Sequence, residues 1–197
     1  MRLYLVRHGE AEGNRERRYI GWEDVPLSAA GRAQAGALAC RLAGERLTAV
    51  WSSDLRRARE TAEIIAAEHG LTVRADPGLR EVNFGAWSGL TYAEMMLAAA
   101  GPVSAWLADP ERHAPPGGES LAELRRRALA ALPLQDGALV VTHGGTLRAL
   151  LSFWLDQPFW AVAAPLAGLT VVDWEGGHPR AVGPTGDTTH LEGLTPS

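Results

Sequence analysis

Two histidines occupy matching contexts, and both contexts favour chemistry. His8 closes the apolar run MRLYLVRHG, with Arg7 before it and Gly9 after it. His143 closes ALVVTHGG, with Gly144 and Gly145 after it. Each run is short and free of turn residues, which reads as a buried strand of a mostly parallel sheet, over residues 1–6 and Ala138–Thr142. Polar groups at the carboxyl ends of such strands lie where open α/β sheets bind ligands. Glycine lets the backbone approach a ligand closely. A helix from about Thr146, beyond a Gly144–Gly145 turn, offers unpaired N–H groups to an anion. A lone histidine is more often a satisfied structural residue. Two in one topological slot, one of them beside an arginine, point to a site.

The elements that must position these groups are legible in outline. Ser28 is a good N-cap for AAGRAQAGALACRLAG, which ends at Gly44. A strand over 47–51 follows, and Ser52, Ser53 and Asp54 cap a helix through RRARETAEIIAAEH that ends at Gly70. A third strand covers 72–74. From 76 to about 118 the pattern is broken by Pro77, Pro102, Pro110, Pro115 and Pro116. This stretch reads as an excursion over the active site, too short for a core of its own. Ser120 with Glu123 forms a capping box for the helix LAELRRRALAAL. Strands are expected around 169–174 and 180–182, with loop from Gly183 onward. The alternation predicts one α/β domain over 1–197, with helices on both faces of the sheet. Its ligand crevice collects the loops 7–14, 52–57, 76–90 and 143–146.

Composition narrows the classes. The 197 residues suffice for a hydrophobic core, and 46% hydrophobic with 21% charged residues is ordinary for a soluble globular chain. A net charge of -4 argues against a nucleic-acid surface. The single Cys40 cannot form an internal disulfide, which fits a reducing cytoplasm. No apolar run reaches membrane-spanning length and no signal peptide is visible, so neither membrane nor nucleic acid is expected as a partner. All 19 basic Lys/Arg positions are arginine, which we assign to coding bias.

Collecting the strand-end loops brings together Arg7, His8, Arg57, Glu81 and His143, with Asn14 alongside. Arginines and imidazoles around glycine-flanked backbone suit a dianionic oxyanion, above all phosphate, because guanidinium forks match its oxygens and keep their charge. No GxxxxGK[ST] motif is present to make a P-loop. A neutral histidine in such a nest can attack phosphorus, and nearby arginines favour the neutral ring while stabilising the transferring oxygens. A carboxylic acid must then protonate the leaving oxygen and later activate water. Arg56 and Arg59 read as a solvated helix face. Glu10 and Glu12 with His143 could form a metal site, but metal ligands are not normally ringed by arginines, and no metal or other cofactor is expected. Trp22, Trp87 and Trp106 are candidate pocket walls. Of these only Trp22, in GWED, is taken as a substrate contact, together with Gly21.

LVRHGEAEGN followed by YIGWEDVPLSAAG resembles the amino-terminal signature of the phosphoglycerate mutase-like, or histidine phosphatase, superfamily. SSDLRRARETA, LREVNFGAWSG, PPGGES and VVTHGG resemble its later motifs in order, so the likeness runs from residue 2 to about 150. The triplet Arg7–His8–Gly9 alone is weak; five ordered motifs are specific. The resemblance implies a three-layer α/β/α sandwich and a phosphohistidine intermediate without metal. By the same resemblance His8 is the nucleophile, Arg7, Arg57 and His143 bind phosphate, and Glu81 is the proton donor. Asn14 lies near the phosphate, and Gly144 supplies a backbone N–H. Ala11 departs from the pattern, standing where serine or threonine is common.

Three functions are then weighed. A cofactor-dependent mutase resembles this chain at its start but carries a longer, more basic insertion. Between residues 82 and 116 Arg112 is the only arginine here. The LREVNFGAWSG form is similar to the small-molecule phosphatase branch, including phosphatases of α-ribazole phosphate and broad phosphomonoesterases. A metal-independent phosphomonoester hydrolase acting on a small-molecule phosphate is therefore expected, in the cytoplasm and with room for a homodimer. A non-catalytic phosphate-binding regulatory module is disfavoured because both His8 and Glu81 are present.

Overall fold

The computed structural model describes residues 1–176 and 178–194. Residues 195–197 of the expected domain lie outside them. Six strands form one sheet: β1 (Arg2–Arg7), β2 (Ala49–Ser52), β3 (Val73–Ala75), β4 (Ala138–Thr142), β5 (Leu169–Glu175) and β6 (His178–Asp187). Their spatial order is β3-β2-β4-β1-β5-β6. The first four are parallel, while β5 and β6 run antiparallel to their neighbours.

The central strands are apolar on both faces, and the pleat divides their side chains between two cores. Leu3, Leu5, Ala138 and Val140 face one core, shared with Leu147, Leu150 and Leu151 of α5 (Gly144–Leu155) and Ala128 of α4 (Leu121–Ala131). Tyr4, Val6, Leu139 and Val141 face the other core. That side is shared with Leu38 and Leu42 of α1 (Ala29–Leu42) and with Ala58, Ala62 and Ile65 of α2 (Arg56–Glu68). The result is a three-layer α/β/α sandwich, the architecture that the resemblance implies. No helix among the described residues is long and apolar enough to cross a membrane.

The excursion departs from its sequence reading. It holds a 17-residue helix, α3 (Tyr92–Ala108), capped by a Thr91–Glu94 box. Proline masks it from the sequence: Ala99 (φ -160°, ψ 62°) breaks the helix, and Pro102 falls in the first turn of the continuation, where a missing N–H costs little. Val82, Phe84, Trp87, Met95, Val103 and Trp106 form a third cluster, completed by Leu121, Leu124 and Ala149 of α4 and α5.

Two boundaries also move. The expected loop from Gly183 is the second half of β6. This edge strand bulges, since Leu169 pairs with Asp187 while Val171 pairs with Val182. Gly183 and Gly186 supply positive φ and Pro184 needs no ladder hydrogen bond at an edge. The helix after His143 starts at Gly144, not near Thr146, because His143 is itself the extended N-cap (φ -126°, ψ 168°).

Candidate active site

Strand register sets the centre of the site. Arg7 on β1 lies opposite Thr142 on the adjacent parallel strand β4, so the next residues, His8 and His143, emerge side by side. Their rings meet edge to face with centroids 5.1 Å apart, and both are buried.

The hydrogen bonds of His8 fix its tautomer. Nδ1 lies 2.7 Å from the Gly9 carbonyl, which can only accept, so Nδ1 carries the proton. Arg57 Nε, which can only donate, lies 3.3 Å from Nε2, so Nε2 holds the lone pair. The His8 main chain is clamped by its N–H to Thr142 O (3.0 Å) and by Ala167 N–H to its own carbonyl (3.0 Å). Burial, then the charges of Arg57 and Arg7, hold the ring well below the ordinary histidine range. His8 thus lines the cavity as a neutral imidazole, the form whose Nε2 lone pair can attack an electrophile.

The two arginines are held by carbonyls, and among the described residues neither forms an ion pair with a carboxylate. Arg57 donates to Gly21 O and Glu23 O (2.8 Å each), and Arg7 donates to Ala164 O (2.7 Å). Burial pushes both guanidinium groups down to about 10, opposed by the Glu81 carboxylate, and they remain cationic at neutral pH. Arg7 Nε and both ring nitrogens of His143 are buried with no hydrogen-bond partner among the described residues. Burial, followed by Arg57 and His8, keeps the His143 ring well below its ordinary range. An unpartnered buried donor costs about 1–3 kcal/mol, and an oxyanion among these groups would satisfy the Arg7 Nε–H and the one N–H of the neutral His143 ring.

Glu81 lies across the cavity. One carboxylate oxygen accepts from Val82 N (2.9 Å), the other from Gly145 N (3.1 Å) in the first turn of α5. Both glycines of this turn are packing glycines, not turn glycines. A Cβ on Gly144 would press on the Arg7 guanidinium, and one on Gly145 would overlap the Glu81 carboxylate. Asn14 accepts from Ala11 N through Oδ1 (2.9 Å), which leaves its amide N–H groups available.

A cavity of about 150 Å3 joins Arg7, His8, Asn14, Arg57, Glu81 and Gly144. His143 stands behind the lining residues, against His8. Two expected contacts lie outside this lining. Gly21 is buried and serves Arg57 through its carbonyl. Trp22 does not line the cavity: its indole N–H donates to Glu81 O (2.8 Å), and the Arg80 and Arg127 guanidinium groups lie over its ring at 5.0 and 5.8 Å. An amphipathic indole beside the GWED turn gives no sequence signal to separate these roles.

Trp106, read as core, is buried yet forms cavity wall, with Tyr19, Phe84, Phe159 and Trp160. Glu10 turns to Ser28 Oγ (2.6 Å) and Arg15 (3.1 Å), so the Glu10–Glu12–His143 reading has no geometric support. Arg56 and Arg59 pair with Glu60 and Glu63 on the outer face of α2, as a solvated face should. Sequence reading missed Arg18 and Arg148, which line the cavity, and Arg127, which binds the carbonyls of Gly78, Arg80 and Glu81 at 2.9–3.1 Å.

A mostly parallel sheet with paired histidines at the ends of two adjacent strands, ringed by arginines and faced by a glutamate, defines a phosphoryl-handling α/β protein. The family model of the histidine phosphatase superfamily, branch 1, matches residues 3–185, and the chain belongs to that family. It is 37% identical to a glucosyl-3-phosphoglycerate phosphatase of Mycolicibacterium vanbaalenii, over 94% of this chain and 88% of the relative. It is 36% identical to a Yersinia enterocolitica protein provisionally named as a phosphoglycerate mutase, over 98% and 95%. Among solved structures, YhfR of Bacillus stearothermophilus superposes with a TM-score of 0.88 at 34% identity, over 97% and 99% of the two chains. The α-ribazole phosphatase of Shigella flexneri does so with 0.84 at 27%, over 95% and 97%.

Proposed function

We propose that this chain hydrolyses small-molecule phosphomonoesters through a phosphohistidine on Nε2 of His8. The observation that carries the reading is the neutral, correctly tautomerised His8 beside two buried arginines and the partnerless nitrogens of Arg7 and His143. In the first half-reaction the Nε2 lone pair attacks phosphorus and the ester P–O bond breaks. Glu81, as the carboxylic acid, gives its proton to the departing alkoxide oxygen. In the second, the Glu81 carboxylate takes a proton from water as the water oxygen attacks. The P–N bond breaks, its electrons return to Nε2, and inorganic phosphate leaves. Arg7, Arg57, His143, Asn14 and the Gly144 N–H neutralise the three transferring oxygens throughout, a task for which no metal ion is required.

Water as acceptor is supported by the phosphatase names of the relatives and by the excursion, which adds aromatic rings but no cation to the cavity. The mutase name of the Yersinia relative keeps the second reading in view. Parallel assays on 3-phosphoglycerate decide between them, one reading released phosphate and one reading 2-phosphoglycerate with a bisphosphoglycerate primer. Hydrolysis, insensitive to chelator, is expected to dominate. Isomerisation faster by orders of magnitude would make the protein a mutase.

A further inference from the structure

We propose that His190, near the end of the chain, is a positioning residue for His8 and acts through the backbone of Ala167. This inference rests on the reading of His8 as the nucleophile. The segment 164–168 holds the Arg7–His8 pair at three points. The Ala164 carbonyl accepts from the Arg7 guanidinium (2.7 Å) and the Gly168 carbonyl from the Arg7 main-chain N–H (3.1 Å). Between them, Ala167 N–H donates to the His8 carbonyl (3.0 Å).

Ala167 makes that contact in an unfavourable conformation. Its φ of 52° lies in the left-handed region, which a residue with a Cβ keeps only where its surroundings impose it. His190 supplies the constraint, with Nε2 3.0 Å from the Ala167 carbonyl. That carbonyl can only accept, so Nε2 carries the proton. With its N–H on His8 and its carbonyl on His190, Ala167 has both flanking peptide planes fixed. Ala167 is fully buried, and a buried carbonyl needs a donor that water is poorly placed to replace. The C-terminal segment is seated to deliver this contact. Gly186 N–H donates to Thr170 Oγ1 (2.8 Å), Asp187 pairs with Leu169, and Asp187 Oδ1 accepts from Thr189 N–H (3.0 Å). A Cβ on Gly186 would overlap the Pro165 ring, so the segment lies directly on the 164–168 loop. Among the described residues the His190 Nδ1 is buried without a partner, which leaves the bond to Ala167 as the ring's one hydrogen bond. His190 does not line the cavity, so its effect on the reaction passes through the loop.

Rapid-quench measurement of His8 phosphorylation, from glycerol 3-phosphate and from 4-nitrophenyl phosphate, reads that effect. His190→Phe keeps a ring of similar volume and removes the donor, while His190→Gln places an amide N–H where Nε2 stood. In His190→Phe the phosphorylation rate per folded protein is expected to fall by about ten- to a hundredfold on both esters, because in-line attack is steep in the position of the nucleophile. Affinity for inorganic phosphate should change far less, and His190→Gln should recover most of the rate. A side chain that only stabilises the fold would lower the urea midpoint and leave the rate per folded protein unchanged. The proposal is overturned by a parental rate in His190→Phe, by a loss confined to one ester, by an equal loss of phosphate affinity, or by a His190→Gln variant as slow as His190→Phe. Should His190→Phe not fold, His190→Asn, whose amide is one methylene short of the carbonyl, takes its place with the same expectations. Absence of phosphoenzyme in the parental protein would instead overturn the nucleophile reading on which the inference rests.

Discussion

On one side of the cavity, His8 and, behind it, His143 are placed by main chain: adjacent parallel strands set their spacing, and two backbone hydrogen bonds clamp His8. On the facing wall, Glu81 is placed by side chains that come from far away in sequence. Thr142 binds the carbonyl of Leu79, Thr146 and Arg127 bind that of Arg80, and Trp22 and Arg127 bind that of Glu81. In the proposed mechanism the wall held by the sheet meets the phosphate itself, whatever ester carries it. The Glu81 wall is held by individual hydrogen bonds, and in the proposed mechanism it is the wall that meets the leaving group.

This contrast orders the expected mutational effects. Arg57→Ala, on the phosphate wall, should lower kcat/KM by about 10³-fold on alkyl and aryl esters alike and weaken inhibition by inorganic phosphate. A loss confined to one ester class would break the division between the walls. Glu81→Gln should slow phosphoenzyme formation by about 10²-fold on an alkyl ester. It should do far less on 4-nitrophenyl phosphate, whose leaving group needs no proton. Rapid-quench measurement of the first half-reaction shows the difference, and equal losses would remove Glu81 from its role.

The buried histidines also couple the phosphate wall to pH. In the unfolded chain imidazole protonates near pH 6.5, whereas burial and the arginines hold His8 and His143 neutral to lower pH. The unfolded state therefore binds more protons in the interval between. Stability is full above about pH 6.5 and declines as pH falls through that interval. Urea midpoints at pH 7.5, 6 and 5 should show the decline, and His143→Gln should make it shallower. Parallel curves would contradict the assignment. The smallest effect belongs to Trp22→Phe, which removes one of two donors to the Glu81 carbonyl. It should cost about 1 kcal/mol in stability, with kcat reduced less than tenfold.

The same contrast explains what was legible in the sequence. The phosphate wall follows from local pattern, since short apolar runs ending in Arg7–His8–Gly9 and His143–Gly144 announce strand ends in a parallel sheet. The acid wall follows from contacts with no local signature. Nothing in the residues around Arg127 says that its guanidinium binds three carbonyls some 46 to 49 positions away. Trp22 supports the Glu81 carbonyl while Trp106 is core and cavity wall at once, because an indole packs equally well as support or as wall. The helix α3 was hidden by a proline that a kink at Ala99 renders harmless. Gly144 and Gly145 looked like a turn, yet glycine there makes room for Arg7 and Glu81.

Covalent capture at His8 tests the central claim most directly. Protein mixed with a 32P-labelled ester and quenched in alkali within milliseconds should carry phosphate on a histidine, stable to base and labile to acid. Peptide mapping should place it on Nε2 of His8, and His8→Ala should neither label nor turn over. Phosphate release at the parental rate from His8→Ala, or label on another residue, would contradict the account.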